Sequence, residues 1–120
     1  MTRLTLAVLA LLAAGSAQAT CIYPRAPDRA PDGQTASRDE MVAAQAAVKQ
    51  FNEDITAYNA CLDMEMEQAV KSGAYDENRI NELRAIQAKK NNAAVDEVTA
   101  IADAFNEQLR IFLAREKKTD

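Results

Sequence analysis

Residues 37–73, SRDEMVAAQAAVKQFNEDITAYNACLDMEMEQAVKSG, decide the fold of this chain. Ser37 followed by Glu40 is the pattern of a capping box, in which each side chain accepts a hydrogen bond from the other residue's backbone N–H. Gly73 suits the left-handed backbone that ends many helices. Between these ends, apolar residues recur at steps of three and four, at Met41, Ala44, Val48, Phe51, Ile55, Tyr58, Leu62 and Ala69. The stretch predicts one long helix over about residues 37–72, with a coiled-coil-like heptad seam.

A second helix is predicted from about residue 77 to about residue 115. Asp76 offers a start, and no Gly or Pro occurs between Gly73 and the last residue. The apolar stripe of this helix is interrupted at residues 87–92, QAKKNN, so the helix either continues through the patch or is kinked there. The apolar positions are Ile80, Leu83, Ile86, Ala94, Val95, Val98, Ile101, Ala102, Phe105, Leu109, Phe112 and Leu113.

Two long helices joined by a short turn cannot each bury an apolar stripe alone, so we expect an antiparallel all-α hairpin. A turn near Ala74 fixes which residues face each other across the two helices. It predicts that Val48 lies near Ile101, Phe51 near Val98 and Ala44 near Phe105. One side of each seam stays uncovered in such a hairpin, which favours a homodimer or a complex with a protein partner.

Residues 20–36 contain Pro24, Pro27, Pro31 and Gly33, and they predict an extended strap, because proline cannot donate a backbone hydrogen bond. Cys21 and Cys61 are the two cysteines, and a disulfide between them is the expected pairing, with intermolecular disulfides as the alternative. A strap of about 50 Å at full extension is long enough to reach back about 36 Å along the first helix. Ile22 and Tyr23 would then cover the hairpin near Tyr58 and Leu62.

The first 19 residues have the three parts of a secretory signal: Arg3, the uncharged segment Leu4–Ala14, and small residues in Ala17-Gln18-Ala19. Cleavage after Ala19 would make Thr20 the first residue of a periplasmic or secreted protein. The apolar segment is shorter than the about 20 residues that cross a membrane. Gln18-Ala19-Thr20 before Cys21 lacks the Leu of a lipobox, so we expect no stable membrane anchor.

The composition argues against several classes of function. The formal charge of the chain is −4, and removal of Arg3 with the signal leaves 13 basic and 18 acidic side chains, which disfavours nucleic acid as a partner. The chain contains no His, the residue most used as a general base and as a metal ligand. Glycine-rich phosphate loops are also missing from the sequence. We therefore expect a protein that is not an enzyme and has no cofactor.

Two clusters of residues offer weak metal ligands. Asp63, Glu65 and Glu67 are acidic, but residues two apart point in different directions on a helix, so a solvated acidic surface is the expected outcome. Met41, Met64 and Met66 are soft ligands in principle, yet methionine more commonly fills gaps in a core or an interface. No catalytic or metal site is predicted from either cluster.

Several short motifs within about residues 20–65 carry a resemblance to known proteins. They are Cys21-Ile22-Tyr23-Pro24, Pro31-Asp32-Gly33, Glu40-Met41, Val48-Lys49-Gln50-Phe51 and Tyr58-Asn59-Ala60-Cys61. In these motifs the chain resembles small exported helical proteins of proteobacteria with no assigned function. The resemblance implies a bacterial periplasmic setting and says nothing about activity.

Three functional hypotheses follow. The first is a periplasmic interaction protein that binds a protein partner through its hairpin, with Tyr58, Lys90 and Phe112 as candidate contacts. The second is a holdase-like periplasmic chaperone, although the sequence lacks the LTxxQ-type repeat of one such family. The third is a small-molecule or metal binder that uses a polar notch around Tyr58 and Lys90.

Overall fold

The computed structural model describes residues 20–119, and the predicted signal peptide at residues 1–19 lies outside this range. Within residues 20–119 the chain forms two helices, α1 (Arg38–Ser72) and α2 (Glu77–Thr119), and they pack against each other. The predicted all-α hairpin is therefore confirmed. α2 continues through residues 87–92 without a break and runs to Thr119, beyond the expected end near Arg115.

Local hydrogen bonds explain where the helices begin and end. The Ser37 hydroxyl accepts from the Glu40 backbone N–H at 3.2 Å, and the Glu40 carboxylate accepts from the Ser37 N–H at 2.7 Å. The hydrogen bonds from Ser37 also lower the pKa of the Glu40 carboxyl. Gly73 ends α1 in a left-handed conformation with φ 64°, and the Asp76 carboxylate accepts from the Arg79 N–H at 2.8 Å at the start of α2.

The apolar core consists of two clusters. The middle cluster contains Phe51, Ile55, Tyr58, Leu62 and Ala94, with Val98 and Ile101 packed against it. The base cluster contains Ala36, Met41, Phe105 and Phe112, with Ala44, Val48 and Leu109 packed against it. Phe51 thus shares a cluster with Val98 and Ala44 with Phe105, as the predicted register requires, whereas Val48 and Ile101 belong to different clusters.

The distribution of buried side chains divides the hairpin into two halves. We call residues 38–62 and 94–119 the base half, and residues 63–72 and 77–93 the tip half. Within the described chain, the tip half contains no buried hydrophobic residue. The tip half is therefore a two-helix structure without a closed core.

The N-terminal segment accounts for this difference. Cys21 and Cys61 form an intramolecular disulfide with a Cα–Cα distance of 5.8 Å, so the strap (residues 20–36) runs from the middle of the hairpin to the start of α1. It covers about 36 Å with about 2.2 Å per residue, less than the about 3.1 Å of a polyproline II segment. A turn takes up part of the slack, since the Ala36 N–H donates to the Asp32 carbonyl at 2.8 Å.

The two residues expected to cover the hairpin behave differently. The Tyr23 ring packs edge-on against the Tyr58 ring, with 5.1 Å between centroids. Ile22 is 85% exposed, so its expected packing near Leu62 is wrong. Neighbouring residues of a non-helical segment point in different directions, and Tyr23 takes the inward position.

Residues 87–92 place polar groups beside the helix interface. The Gln87 amide donates to the Asp63 carboxylate across the hairpin. Among the described side chains, the amide oxygens of Asn59 and Asn91 are buried and have no hydrogen-bond partner in the protein. Polar groups of this kind weaken the apolar contact between the helices, which adds to the effect of the missing strap cover in the tip half.

Replacing both cysteines, Cys21→Ser with Cys61→Ser, should lower the free energy of unfolding. The disulfide joins residues separated by 40 positions, and a loop of that length contributes up to about 4 kcal/mol. Urea unfolding of the oxidised protein and the variant measures the difference. Equal stabilities would show that the strap stays in place without its covalent link.

Candidate partner-binding groove

The strap lies in the groove between α1 and α2 along the base half. Its small residues do the packing: Ala26 contacts the middle cluster, Ala30 contacts the base cluster, and Ala36 is buried within the base cluster. A narrow groove between two helices admits such side chains without displacing either helix. The hairpin therefore binds a non-helical segment of its own chain.

Gly33 lies close against the backbone of α2. A Cβ atom at this position would lie 2.2 Å from the Gln108 carbonyl oxygen and 2.9 Å from the Phe112 backbone nitrogen. The Gly33 N–H also donates to the Gln108 side-chain oxygen at 2.9 Å. Only a residue without a side chain can approach the α2 backbone in this way.

Side chains of α2 hold the two ends of the strap. The Arg115 guanidinium donates to the Ala36 carbonyl at 2.7 Å and lies over the Phe112 ring, 5.0 Å from its centroid. At the other end, the Tyr23 hydroxyl donates to the Glu97 carboxylate. Burial, together with this hydrogen bond and the Glu97 charge, raises the pKa of Tyr23 to about 12.

The same groove continues into the tip half, where the strap does not cover it. A cavity of about 110 Å³ opens there between α1 and α2. Its apolar wall contains Leu62, Met66, Ala69, Leu83 and Ile86. We call this cavity and its walls the tip groove. Leu62 also belongs to the middle cluster, against which Cys21 packs, so the tip groove begins where the strap ends.

Polar side chains line the same cavity. Glu65 belongs to α1, whereas Gln87 and Lys90 belong to α2. Glu65 accepts a hydrogen bond from the Cys21 backbone N–H at 2.9 Å. Lys90 forms no ion pair within residues 20–119. The groove therefore combines an apolar floor with one acidic group and one basic group from opposite helices.

The acidic residues that suggested a weak cation site have separate partners. Asp63 accepts from Gln87, Glu65 accepts from the Cys21 N–H, and Glu67 pairs with Lys71. The methionines are also dispersed: Met41 is buried in the base cluster, Met66 lines the tip groove, and Met64 is exposed. The structure does not bring either set together.

One group of possible metal ligands lies close together in the described chain. The Cys21 sulfur, the Cys61 sulfur and a Glu65 carboxylate oxygen lie within 4.8 Å of one another. The sulfurs are joined as a disulfide, however, and thiolates are the forms that bind metal. In this state the group anchors the strap.

The three candidate contact residues lie in different surroundings. Tyr58 and Phe112 are buried in the middle and base clusters, where little of either side chain is open to a partner. Lys90 is exposed and lines the tip groove. The polar notch expected around Tyr58 and Lys90 is thus replaced by a groove nearer the turn, in which Lys90 lies opposite residues of α1.

Comparisons with known proteins add no family. No protein-family model, curated protein or solved structure matches this chain. Among the described residues, neither helix has a segment that is both long and apolar enough to cross a membrane.

Gly33→Ala should displace the strap from α2, because the added methyl group overlaps the Gln108 carbonyl. We expect a loss of about 2–3 kcal/mol in the free energy of unfolding, typical of overpacking at a closed contact. Arg29→Ala is the matched control, since Arg29 occupies an exposed strap position and should change stability by less than about 0.5 kcal/mol. Equal effects of the two substitutions in urea unfolding would contradict the close contact.

The raised pKa of Tyr23 makes strap docking sensitive to alkali. The folded state favours the neutral phenol, so its contribution is complete below pH 10, where Tyr23 is neutral in both states. As the pH rises from 10.0 towards about 12, the unfolded chain ionises first and the contribution is lost. The stability advantage of the wild type over Tyr23→Phe should therefore shrink over this range. A difference absorbance titration that shows phenolate formation at Tyr23 near pH 10 would contradict this expectation.

Proposed function

We propose that this chain is an exported, non-catalytic interaction protein of the periplasm, which binds a non-helical segment of a protein partner in the tip groove. The observation that supports it most directly is the strap, because the base half already holds a non-helical segment between the same two helices. The tip groove continues that path with an apolar floor, and the strap (residues 20–36) does not extend over it.

The size of the groove favours a protein segment as its occupant. Sites for drug-sized ligands usually measure about 300–1,000 Å³, whereas the tip groove measures about 110 Å³. That volume suits one aliphatic side chain of a partner. In the tip groove, a small-molecule ligand is therefore less well supported than a protein contact.

The walls of the groove indicate the chemistry of the partner segment. Leu83 and Ile86 offer contacts for an aliphatic side chain, and small residues beside it would fit between the helices as Ala26 and Ala30 do in the base half. Gln87 can bind a backbone group, as Gln108 does with Gly33. Lys90 favours a carboxylate on the segment.

The periplasmic location rests on two sequence features and one structural feature. The signal pattern at residues 1–19 and the resemblance to exported proteins suggest export. The disulfide supports the same assignment, because such bonds persist in oxidising compartments.

A holdase-like role is the second candidate. The tip half and its turn expose several apolar side chains that unfolded clients would contact, namely Met64, Val70, Tyr75 and Ile86. A holdase contacts many clients through such a surface, whereas the groove hypothesis requires binding at one place by a limited set of segments.

Photo-crosslinking in cells tests the proposed site. A photoreactive amino acid at position 86 lies in the tip groove, and the same group at position 95 is the matched control. Ile86 and Val95 are both exposed apolar residues of α2, at 44% and 51%, but only Ile86 lines the groove. We expect one or a few discrete adducts with other proteins at position 86 and none at position 95.

Mass spectrometry of the adducts identifies the crosslinked segment. A segment rich in small and aliphatic residues supports the proposal, and Lys90→Glu should weaken the adduct if a carboxylate faces Lys90. Adducts with many unrelated proteins would favour the holdase role. Adducts of equal yield at both positions, covalent homodimers alone, or no adducts would contradict binding of a partner segment in the groove.

A further inference from the structure

A polar recess next to the tip groove surrounds the first described residue. Thr20 lines it together with Glu65 and Gln68 from α1 and with Ala74 and Tyr75 from the turn region. The adjoining residue Cys21 is fixed twice, by its disulfide to Cys61 and by its backbone N–H, which donates to the Glu65 carboxylate at 2.9 Å. The position of the Thr20 backbone nitrogen is thereby restricted to the neighbourhood of Glu65.

We propose that Glu65 is a binding site for the α-ammonium group that signal-peptide cleavage creates at Thr20. Hydrolysis of the Ala19–Thr20 peptide bond consumes one water and yields a carboxylate on Ala19 and an ammonium on Thr20. Only two covalently bonded carbon atoms separate the Thr20 and Cys21 nitrogens, which therefore lie within about 4 Å of each other. Rotation of the exposed Thr20 then brings its ammonium to the second carboxylate oxygen of Glu65.

The carboxylate of Glu65 favours a cation in the recess. Glu65 and Tyr75 are the titratable groups that line the recess, and the basic residue Lys90 lines the adjoining tip groove on α2. Lys71, on the last turn of α1, is paired with Glu67. An uncleaved chain has a neutral amide at Thr20, so processing itself supplies the charge that pairs with Glu65.

This inference rests on the proposed cleavage after Ala19, and it has a structural consequence. The new ion pair secures the free end of the strap at the entrance of the tip groove. The processed protein should therefore hold its N-terminus more firmly than a chain that retains part of the leader.

A double-mutant cycle tests the site. Oxidised protein that begins at Thr20 is compared with protein that begins at Gln18, each with and without Glu65→Gln. Glutamine keeps an oxygen that accepts from the Cys21 N–H, so the substitution removes the charge and retains the hydrogen bond. At pH 6.5 we expect the Thr20 protein to melt about 3 °C higher than the Gln18 protein, as one exposed ion pair predicts, and the gap to disappear with Glu65→Gln.

Two controls separate this effect from a general effect of charge. Glu67→Gln, which removes a carboxylate paired with Lys71, should leave the gap intact. The gap should close by pH 9.5, because an α-amino group ordinarily loses its proton near pH 8. A gap that persists with Glu65→Gln, or no gap at pH 6.5, would overturn the binding site.

N-terminal sequencing of the protein from the periplasm tests the cleavage separately. A first residue other than Thr20 contradicts the processing on which the inference depends. A first residue of Thr20 with no coupling to Glu65 contradicts the site alone. Neither result bears on the crosslinking at position 86, so failure of the partner hypothesis remains distinguishable.

Discussion

The link between Cys21 and Cys61 is the constraint on which the rest of the structure depends. In a hairpin of two helices, each helix has one apolar seam, and no third element covers the two seams. An isolated pair of helices therefore buries little apolar surface. The disulfide keeps the start of the strap near Cys61 in the unfolded chain as well. Less conformational entropy is therefore lost when the strap packs against the seam during folding. With the strap in place, Tyr23 covers Tyr58, Gly33 contacts the α2 backbone, and Ala36 enters the base cluster. The strap thus supplies the missing third side of the core.

The position of the disulfide also limits where the core can extend. Cys61 lies in the middle of the hairpin, so the strap reaches only the half between that point and the start of α1. Every buried apolar residue of the described chain lies in the strap or in the base half. The tip half contains the interruption at residues 87–92, and its apolar residues are exposed or half-buried. Local opening should accordingly cost less free energy at the tip than at the base.

Much of this architecture is accessible from the sequence, and the reason is that helices are encoded locally. The capping box at Ser37, the left-handed Gly73 and the heptad spacing each act within a few residues, and the structure follows them. The pairing of the cysteines follows from their number and from the predicted export, and the lengths of the strap and the first helix are compatible with it. The sequence also indicates that the strap runs back along α1. It does not indicate the contacts of the strap with α2, since the groups that hold Gly33 and Ala36 belong to Gln108 and Arg115, more than 70 residues away. The sequence does contain one indication of the contact at Gly33. Ala-Pro-Asp occurs twice in residues 26–33, and the first copy is followed by Arg29 whereas the second is followed by Gly33, the position that contacts α2.

The junction between the covered and uncovered halves connects the two proposals. Glu65 accepts from Cys21, lines the recess around Thr20 and lines the tip groove with Lys90. A partner segment that places a carboxylate beside Lys90 adds negative charge near Glu65 and so strengthens the attraction for the Thr20 ammonium. Thermodynamic linkage makes this effect reciprocal, so a bound ammonium at Glu65 must favour the acidic segment by the same factor. Processing at the N-terminus would then prepare the groove for its partner by changing the charge at its entrance, with no change in the hairpin itself.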